Sequence, residues 1–387
     1  MAMEATIMRA VSAFTSISEP YRAGLALGEQ LAPLQPEVVF LFCSIHLGES
    51  PELQQGLYDG LGSEVIVIGS SGDGLYSSAG PSDLGASALA LSSDGSVRWR
   101  VFSAPDVAAS PAATTRAALA AAQDWLQGEP AAFMLMFCDF NADASEIEKV
   151  IGELEVPLIG GLAADDNQMR NCALFANQAL LQDHIVLLVA DGPVRFSIHI
   201  GNSIEAIGQP GLIEAAEGKM VSRISGLAAQ TFIEQQAGKE VMESDRGITS
   251  LRIIDADQPD IKRLRSIVPQ FTQMAGALGL YGGIEAGRRV QVCLARPEDL
   301  IREVYVIAER ERARKPVAAL IISCAGRKWL LGERLHHEVD ALNEAFGPLP
   351  LAGFPSFGEI GPLRLADGSY SRNLFHNMTY VLLLIET

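Results

Sequence analysis

The sequence predicts an α/β (α+β) protein: mixed β-sheets covered by helices, built from internally duplicated strand-helix-strand-strand units, with sheets able to pack face to face. Three observations carry this. The apolar runs VVFLFC, AFMLMFC and VAALIISC lack polar alternation, as strands buried on both faces do. Each is followed by a helical stretch and then by a glycine-rich passage, GSSGDG, IGGLAADD or SFGEIGP. The order and approximate spacing of these features recur, which marks an internal repeat.

The elements follow in chain order. Ser18 or Glu19 before Pro20 starts a first helix, because proline suits the first turn, and Pro33 and Pro36 close it. Residues 38–43 form a buried strand ending at Cys43. SPELQQGLYDGL is a short amphipathic helix with Ser50 as its cap. A strand at 64–68 runs into GSSGDG, where glycine permits a tight turn and Ser70, Ser71 and Asp73 supply polar groups at the strand end. GASALALSS and SVRWRVF form strands separated by the Asp94-Gly95 turn signal. A linker beginning at PDVAASP becomes a helix over 111–126. The second unit then repeats the first: a strand at 132–140 with Cys138, a helix capped by Ser145, and VPLIGGLAADDNQ. NCALFANQ, DHIVLLVADG and PVRFSIHIG follow as strands.

From about Ser203 the texture changes. A weak strand and a helix over 228–236 precede a meander at 249–296 containing TSLRIIDA, SIVPQF and RRVQVCLAR. A helix over 297–314 has its core stripe at Leu300, Val304 and Ile307. The third unit is VAALIISC, a helix, LAGFPSFGEIGP and a closing strand FHNMTYVLLLIE. The implied domains are 1–202, with repeats at 37–102 and 132–200, and 203–387, with the third unit at 317–387.

The 387 residues carry 29 basic and 47 acidic side chains, a formal charge of −18. That balance argues against nucleic acid or an anionic membrane as the main partner. Although 48% of the residues are hydrophobic, no run reaches the roughly eighteen uninterrupted apolar residues of a spanning helix, so no membrane insertion is expected. Five cysteines without a CxxC pair, and a start MAMEATIMRAVSAF without signal-peptide character, place the chain in the cytoplasm.

At GSSGDG, GGLAADD, IISCAGRKWLL and SFGEIGP with FHNMTYVLLLIE, the chain resembles FIST proteins, bacterial sensory proteins with an N-terminal and a C-terminal FIST domain. The resemblance covers about 35–200 and 205–385. It implies binding of a small-molecule or gaseous ligand and signalling to histidine kinases, cyclases or chemotaxis receptors. Nothing in the chain resembles a kinase, cyclase, receptor helix or F-box, so output would pass through a separate partner such as a histidine kinase. One stand-alone bacterial branch is described as haem-binding nitric oxide sensors, which makes haem b a candidate cofactor.

Candidate site residues follow from position. Asp73 and Glu359, with Gly358 beside it, occupy matching strand-end turns, where ligands of α/β sheets bind; turn closure is the alternative. The second unit offers Gly161, Leu162 and Asp165 there and is less polar. Cys43, Cys138 and Cys324 share the end of the first strand in each unit, with Cys43 and Cys324 as ligand candidates and small buried packing as the alternative. Arg327 and Lys328 could meet an anion, and Asn377 accompanies the closing strand. Among six histidines, His376 and His46 rank first as haem ligands; His336 and His337 lie on a helix where only one of an adjacent pair faces inwards. No CxxCH is present, so haem would be non-covalent. The alternatives are an enzyme using a strand-end cysteine and acid, and a non-catalytic adaptor. A homo-oligomer is compatible with all of these.

Overall fold

The computed structural model describes residues 8–386 apart from 63, 246, 256–260 and 269–275. The first seven residues, and the end of the expected SIVPQF strand, lie outside the described residues. Thereafter the chain writes one plan three times. Unit 1 runs β1 (Arg9–Thr15), α1 (Pro20–Leu31), β2 (Val38–Ser44), α2 (Glu52–Leu61), β3 (Ile66–Gly72), β4 (Leu75–Ser77), β5 (Gly80–Ser82) and β6 (Ala86–Ser92). Unit 2 runs β7 (Arg98–Pro105), α3 (Pro111–Leu126), β8 (Phe133–Cys138), α4 (Ala144–Ile151), β9 (Leu158–Leu162), β10 (Leu174–Ala176), β11 (Ala179–Leu181) and β12 (His184–Asp191).

Unit 3 opens with β13 (Arg195–Gly201) and is interrupted by an insertion: β14 (Glu205–Glu217), β15 (Met220–Ile224), β16 (Leu227–Ala228), α5 (Ala229–Ala237), β17 (Thr249–Ile254), β18 (Arg263–Val268), β19 (Leu278–Leu280) and β20 (Arg289–Leu294). It resumes with α6 (Pro297–Glu311), β21 (Pro316–Cys324), α7 (Ala325–Leu331), α8 (His337–Phe346), β22 (Leu351–Ser356), β23 (Glu359–Arg364), β24 (Tyr370–His376) and β25 (Tyr380–Glu386).

Each unit builds four strands of one sheet and lends a hairpin to another. The three sheets have the orders β1-β6-β2-β3-β10-β11, β7-β12-β8-β9-β23-β24 and β13-β25-β21-β22-β4-β5. Unit 2 thus completes the sheet of unit 1, unit 3 that of unit 2, and unit 1 that of unit 3. A ring of backbone hydrogen bonds repeats the cycle: Asp73 N–H donates to Pro355 C=O (2.9 Å), Ala164 to Ser71 (3.0 Å) and Phe357 to Leu162 (3.2 Å). One phenylalanine from each sheet, Phe42, Phe137 and Phe354, meets the other two with ring centroids 5.0–5.6 Å apart, the contact range of favourable aromatic packing. The insertion is a separate seven-stranded sheet with its own core, in which β20 lies between β14 and β17.

The parallel pairs explain the glycines. Gly69, Gly160 and Gly353 lie opposite Leu41, Met136 and Ile321, and a Cβ on each would stand 1.7, 1.8 and 2.0 Å from the facing carbonyl oxygen. No side chain fits, so glycine is required by backbone approach within the sheet. The expected turn at GSSGDG is corrected accordingly: β3 continues through Gly72, and only Gly74, at φ 88°, needs the left-handed region.

Other expectations change in detail. Glu19 caps α1, accepting from the Tyr21 and Arg22 N–H groups. Ser50 does not cap α2; its hydroxyl donates to Glu52 while Pro51 holds the cap position. Asp143, not Ser145, caps α4. FHNMTYVLLLIE is not one strand, because a turn with Met378 at φ 59° separates β24 from β25, and the two lie in different sheets. Arg195–Gly201, on the N-terminal side of the boundary at 202, pairs along its length with Tyr380–Glu386.

Candidate functional site

The glycine register also realigns the expected site. Counted from Gly69, Gly160 and Gly353, the residue equivalent to Asp73 is Ala164 in unit 2 and Phe357 in unit 3. Glu359 stands two residues further on and corresponds to Asp166. The two acids therefore do not share one station. Likewise Ser323, not Cys324, is the counterpart of Cys43 and Cys138. Cys43 packs among residues of α1 and α2, and Cys324, one position later at the end of β21, packs among residues of α6 to α8 and borders a narrow slot.

Units 1 and 3 converge in an open cleft of about 580 Å³, lined by Asp73, Ser82, Asp83, Lys328, Trp329 and His336 among others. The Trp329 indole N–H donates to Asp73 Oδ2 at 2.6 Å. Lys328 Nζ donates to the Asp73 carbonyl at 2.7 Å and pairs with Asp83 at 2.8 Å. Burial raises the Asp73 pKa, and the Lys328 charge and Trp329 hydrogen bond offset part of that rise. Asp166 is also raised, first by burial and then by Asp73, while Lys328 and His46 act in the opposite sense. One lysine from unit 3 thus pairs with two acids from unit 1, Asp73 and Asp83.

Trp329 also lines a narrow slot of about 20 Å³ behind the cleft, with Cys324, Ser356, Asn377, Ser266, Tyr281 and Phe357. That is room for about one water. Ser356 Oγ donates within the strand-end ring, to the Leu162 and Gly358 carbonyls at 3.0 and 2.8 Å. Asn377 ties the inserted sheet to the slot by accepting from the Ser266 N–H at 3.1 Å.

Behind Cys324 lies Glu359, wholly buried. Its Oε2 accepts from the Thr379 hydroxyl at 2.8 Å and N–H at 3.2 Å, while Oε1 has no hydrogen-bond partner among the described residues. Burial pushes its pKa up to about 8, against the pull of the Thr379 donors, the Cys324 thiol and the more distant Arg327. Burial and the Glu359 charge raise the Cys324 pKa as well. The pair is therefore a carboxylic acid beside a thiol, and neither is poised as a nucleophile at neutral pH.

The remaining candidates are placed elsewhere. Ser71 Oγ donates to the Ala164 carbonyl at 2.6 Å and holds the ring together; Ser70 Oγ is buried with no hydrogen-bond partner among the described residues. Asp165 accepts from the Met169, Arg170 and Asn171 N–H groups, closing a loop. Arg327 is fully buried in an ion pair with Glu338 (2.7 Å), which also accepts from Tyr76 (2.5 Å). It faces away from the cleft that Lys328 lines. Trp329, Ser356 and Asp166 are the site residues that reasoning from sequence missed. Only the adjacency of Trp329 to Lys328 in RKWLL could have pointed to one of them.

Haem fits poorly at either expected histidine. His376 is wholly buried, its Nε2 bonded to the Gly361 carbonyl at 2.9 Å, and burial lowers its pKa to about 4. Its Nδ1 is buried with no hydrogen-bond partner among the described residues, so a ligand atom is free, but reaching it requires opening a space between packed strands. His46 lies in a short 3-10 turn after β2, close enough to act on the Asp166 charge. Neither histidine lines the cleft or the slot.

Family models match twice: the FIST N domain over residues 37–227 and the FIST C domain over residues 247–362. An uncharacterized Mycobacterium tuberculosis protein is 24% identical over 220 residues, 53% of this chain and 56% of that protein. An uncharacterized Methanocaldococcus jannaschii protein is 33% identical over 102 residues, 26% of this chain and 20% of its own. The chain thus spans at most little more than half the length of these two relatives. Among solved structures, the cyanuric acid hydrolase from A. caulinodans aligns over 98% of this chain and 100% of its own, with 10% identity and a TM-score of 0.36. A likeness at that level carries no functional argument.

Proposed function

We propose, from the premise that this chain belongs to the FIST family, that it is a small-ligand receptor whose bound state is passed to a separate partner such as a histidine kinase. The observation that supports it is Trp329, which hydrogen-bonds Asp73 of another unit and lines both the open cleft and the inner slot. A ligand taken between Asp73 and Lys328 competes for that hydrogen bond. Displacing the indole joins cleft to slot and reaches Ser266 of the inserted sheet, so occupancy is felt across three parts of the chain.

The ligand class follows from the lining. Lys328 offers one cation, Asp73 and Asp83 offer acceptors, and Trp329 offers an aromatic face, a set suited to a small polar molecule with both donor and acceptor groups. Five free cysteines, all buried, accord with a reducing cytoplasm. Among the described residues no helix is long and apolar enough to cross a membrane.

The test combines native mass spectrometry of freshly purified protein with its absorption spectrum. A co-purifying small molecule, lost on Lys328→Ala and on Trp329→Phe, supports the reading. Bare protein whose Trp329 fluorescence ignores every metabolite offered defeats it. The haem form of the reading, nitric oxide sensing, requires a Soret band abolished by His376→Ala or His46→Ala. Without that band the receptor is of the non-haem kind.

A further inference from the structure

His336 and His337, expected to diverge on a helix, instead converge. His336 ends the 3-10 segment Gly332–His336 and His337 begins α8. At that change of helical winding their rings lie 4.3 Å apart, centroid to centroid, with planes tilted by only 33°. Asp340, in the first turn of α8, brings a carboxylate oxygen 3.7 Å from His336 Nε2. One donor atom from each of the three residues lies within 4.8 Å of the other two.

We propose that His336, His337 and Asp340 form a binding site for a divalent first-row transition metal ion, with zinc as the reference ion. Nitrogen and oxygen donors at about 2.0–2.1 Å suit zinc, and tetrahedral geometry then puts donors roughly 3.3 Å apart, so modest rotamer adjustment closes the set. Two imidazoles with one carboxylate select borderline ions such as zinc, cobalt or nickel over magnesium or calcium, which prefer all-oxygen shells.

The surrounding hydrogen bonds favour this use. Metal-bound histidine ordinarily donates its second ring N–H to a carbonyl, carboxylate or similar acceptor, which fixes the tautomer. His336 Nδ1 lies 2.6 Å from the Glu333 carbonyl, so it donates and leaves Nε2 as the ligand. His337 Nδ1 lies 3.1 Å from the Tyr305 hydroxyl, which in turn faces Glu344 at 3.5 Å. In the tautomer where Nδ1–H donates to Tyr305 and Tyr305 to Glu344, His337 Nε2 is left for the ion as well. The His336 ring is thus held in the tautomer that a metal needs, and the His337 ring has a partner able to accept from Nδ1 in the same way.

Three protein ligands leave at least one coordination position open, the arrangement of an exchangeable rather than a closed structural ion. His336 also lines the cleft that contains Asp73, Lys328 and Trp329, so the open position is at the rim of that cleft. The metal assignment itself stands on the three side chains and is independent of the receptor reading.

The test is titration of zinc chloride into chelator-stripped, tag-free, full-length protein, followed by calorimetry, with cobalt(II) absorption as a second readout. One equivalent should bind, and His336→Ala, His337→Ala and Asp340→Asn should each weaken binding at least tenfold. Tyr305→Phe, which removes only the relay, should weaken it by a smaller factor. Asp340→Asn alters a side chain 45% exposed and serves if a histidine variant misfolds. Absence of stoichiometric uptake by the wild type, or uptake indifferent to these substitutions, overturns the proposal.

Discussion

The indole N–H of Trp329, in unit 3, donates to the carboxylate of Asp73, in unit 1, at 2.6 Å. Removing the donor by Trp329→Phe leaves a nearly buried carboxylate with Lys328 as its remaining neighbour. A hydrogen bond to a charged group contributes about 1.5–3 kcal/mol. Urea unfolding should show a loss of that size. Asp73→Asn should lose less, because an amide oxygen still accepts.

Glu359 gives the protein a pH slope of unusual sign for a carboxyl group. Its folded pKa of about 8 exceeds the ordinary value, so the folded state holds the proton more tightly than the unfolded chain. The associated stability is complete below the unfolded pKa and is lost as pH rises through 8, on the order of 5 kcal/mol in all. Thermal melts between pH 5 and pH 9 should show this decline, and Glu359→Gln should flatten it. An equal slope in the variant would remove Glu359 as the cause.

Arg327 and Glu338 are both fully buried and 2.7 Å apart. Glu338→Gln strands the guanidinium, and breaking such a pair costs about 3–5 kcal/mol. Replacing the polar set together, Arg327→Met with Glu338→Leu and Tyr76→Phe, should recover most of that loss in denaturant unfolding. If the triple variant is as unstable as the single one, the group serves more than packing.

Glycine substitutions separate close approach from backbone conformation. Gly353→Ala puts a methyl group 2.0 Å from the Ile321 carbonyl oxygen, and relieving such overpacking costs about 1–3 kcal/mol or more. Gly62→Ala meets no atom within 4 Å but sits at φ 65°, where a side chain costs roughly 1–2 kcal/mol. Parallel melts should rank Gly353→Ala as the worse, with Gly69→Ala and Gly160→Ala grouped beside it.

The repeats were legible in the sequence because parallel strands buried on both faces leave unbroken apolar runs, and because Gly69, Gly160 and Gly353 recur where the sheets demand them. Asp73, Lys328, Cys324 and Asn377, named from the sequence, border the cleft or the slot. Other parts were not legible. The alignment of Asp73 with Glu359 failed because unit 3 carries its cysteine one position late and its acid two positions late, shifts that apolar patterning does not register. Trp329 and Asp166 escaped because their roles depend on which unit neighbours which. The meeting of His336 with His337 depends on a change of helical winding that periodicity alone does not show.

The exchange of hairpins dictates an order of assembly. Residues 75–82 leave the ribosome long before their sheet partner at 351–356 is made, so that hairpin must wait as an unpaired edge, a template for mispairing. β13 waits likewise for β25, the last strand of the chain. The first sheet has all its strands once residue 181 is made, whereas the second waits for residues 359–376 and the third for residues 380–386. A nascent chain halted before Leu351 should hold the first sheet but leave residues 75–82 and 195–201 as sticky, protease-sensitive edges.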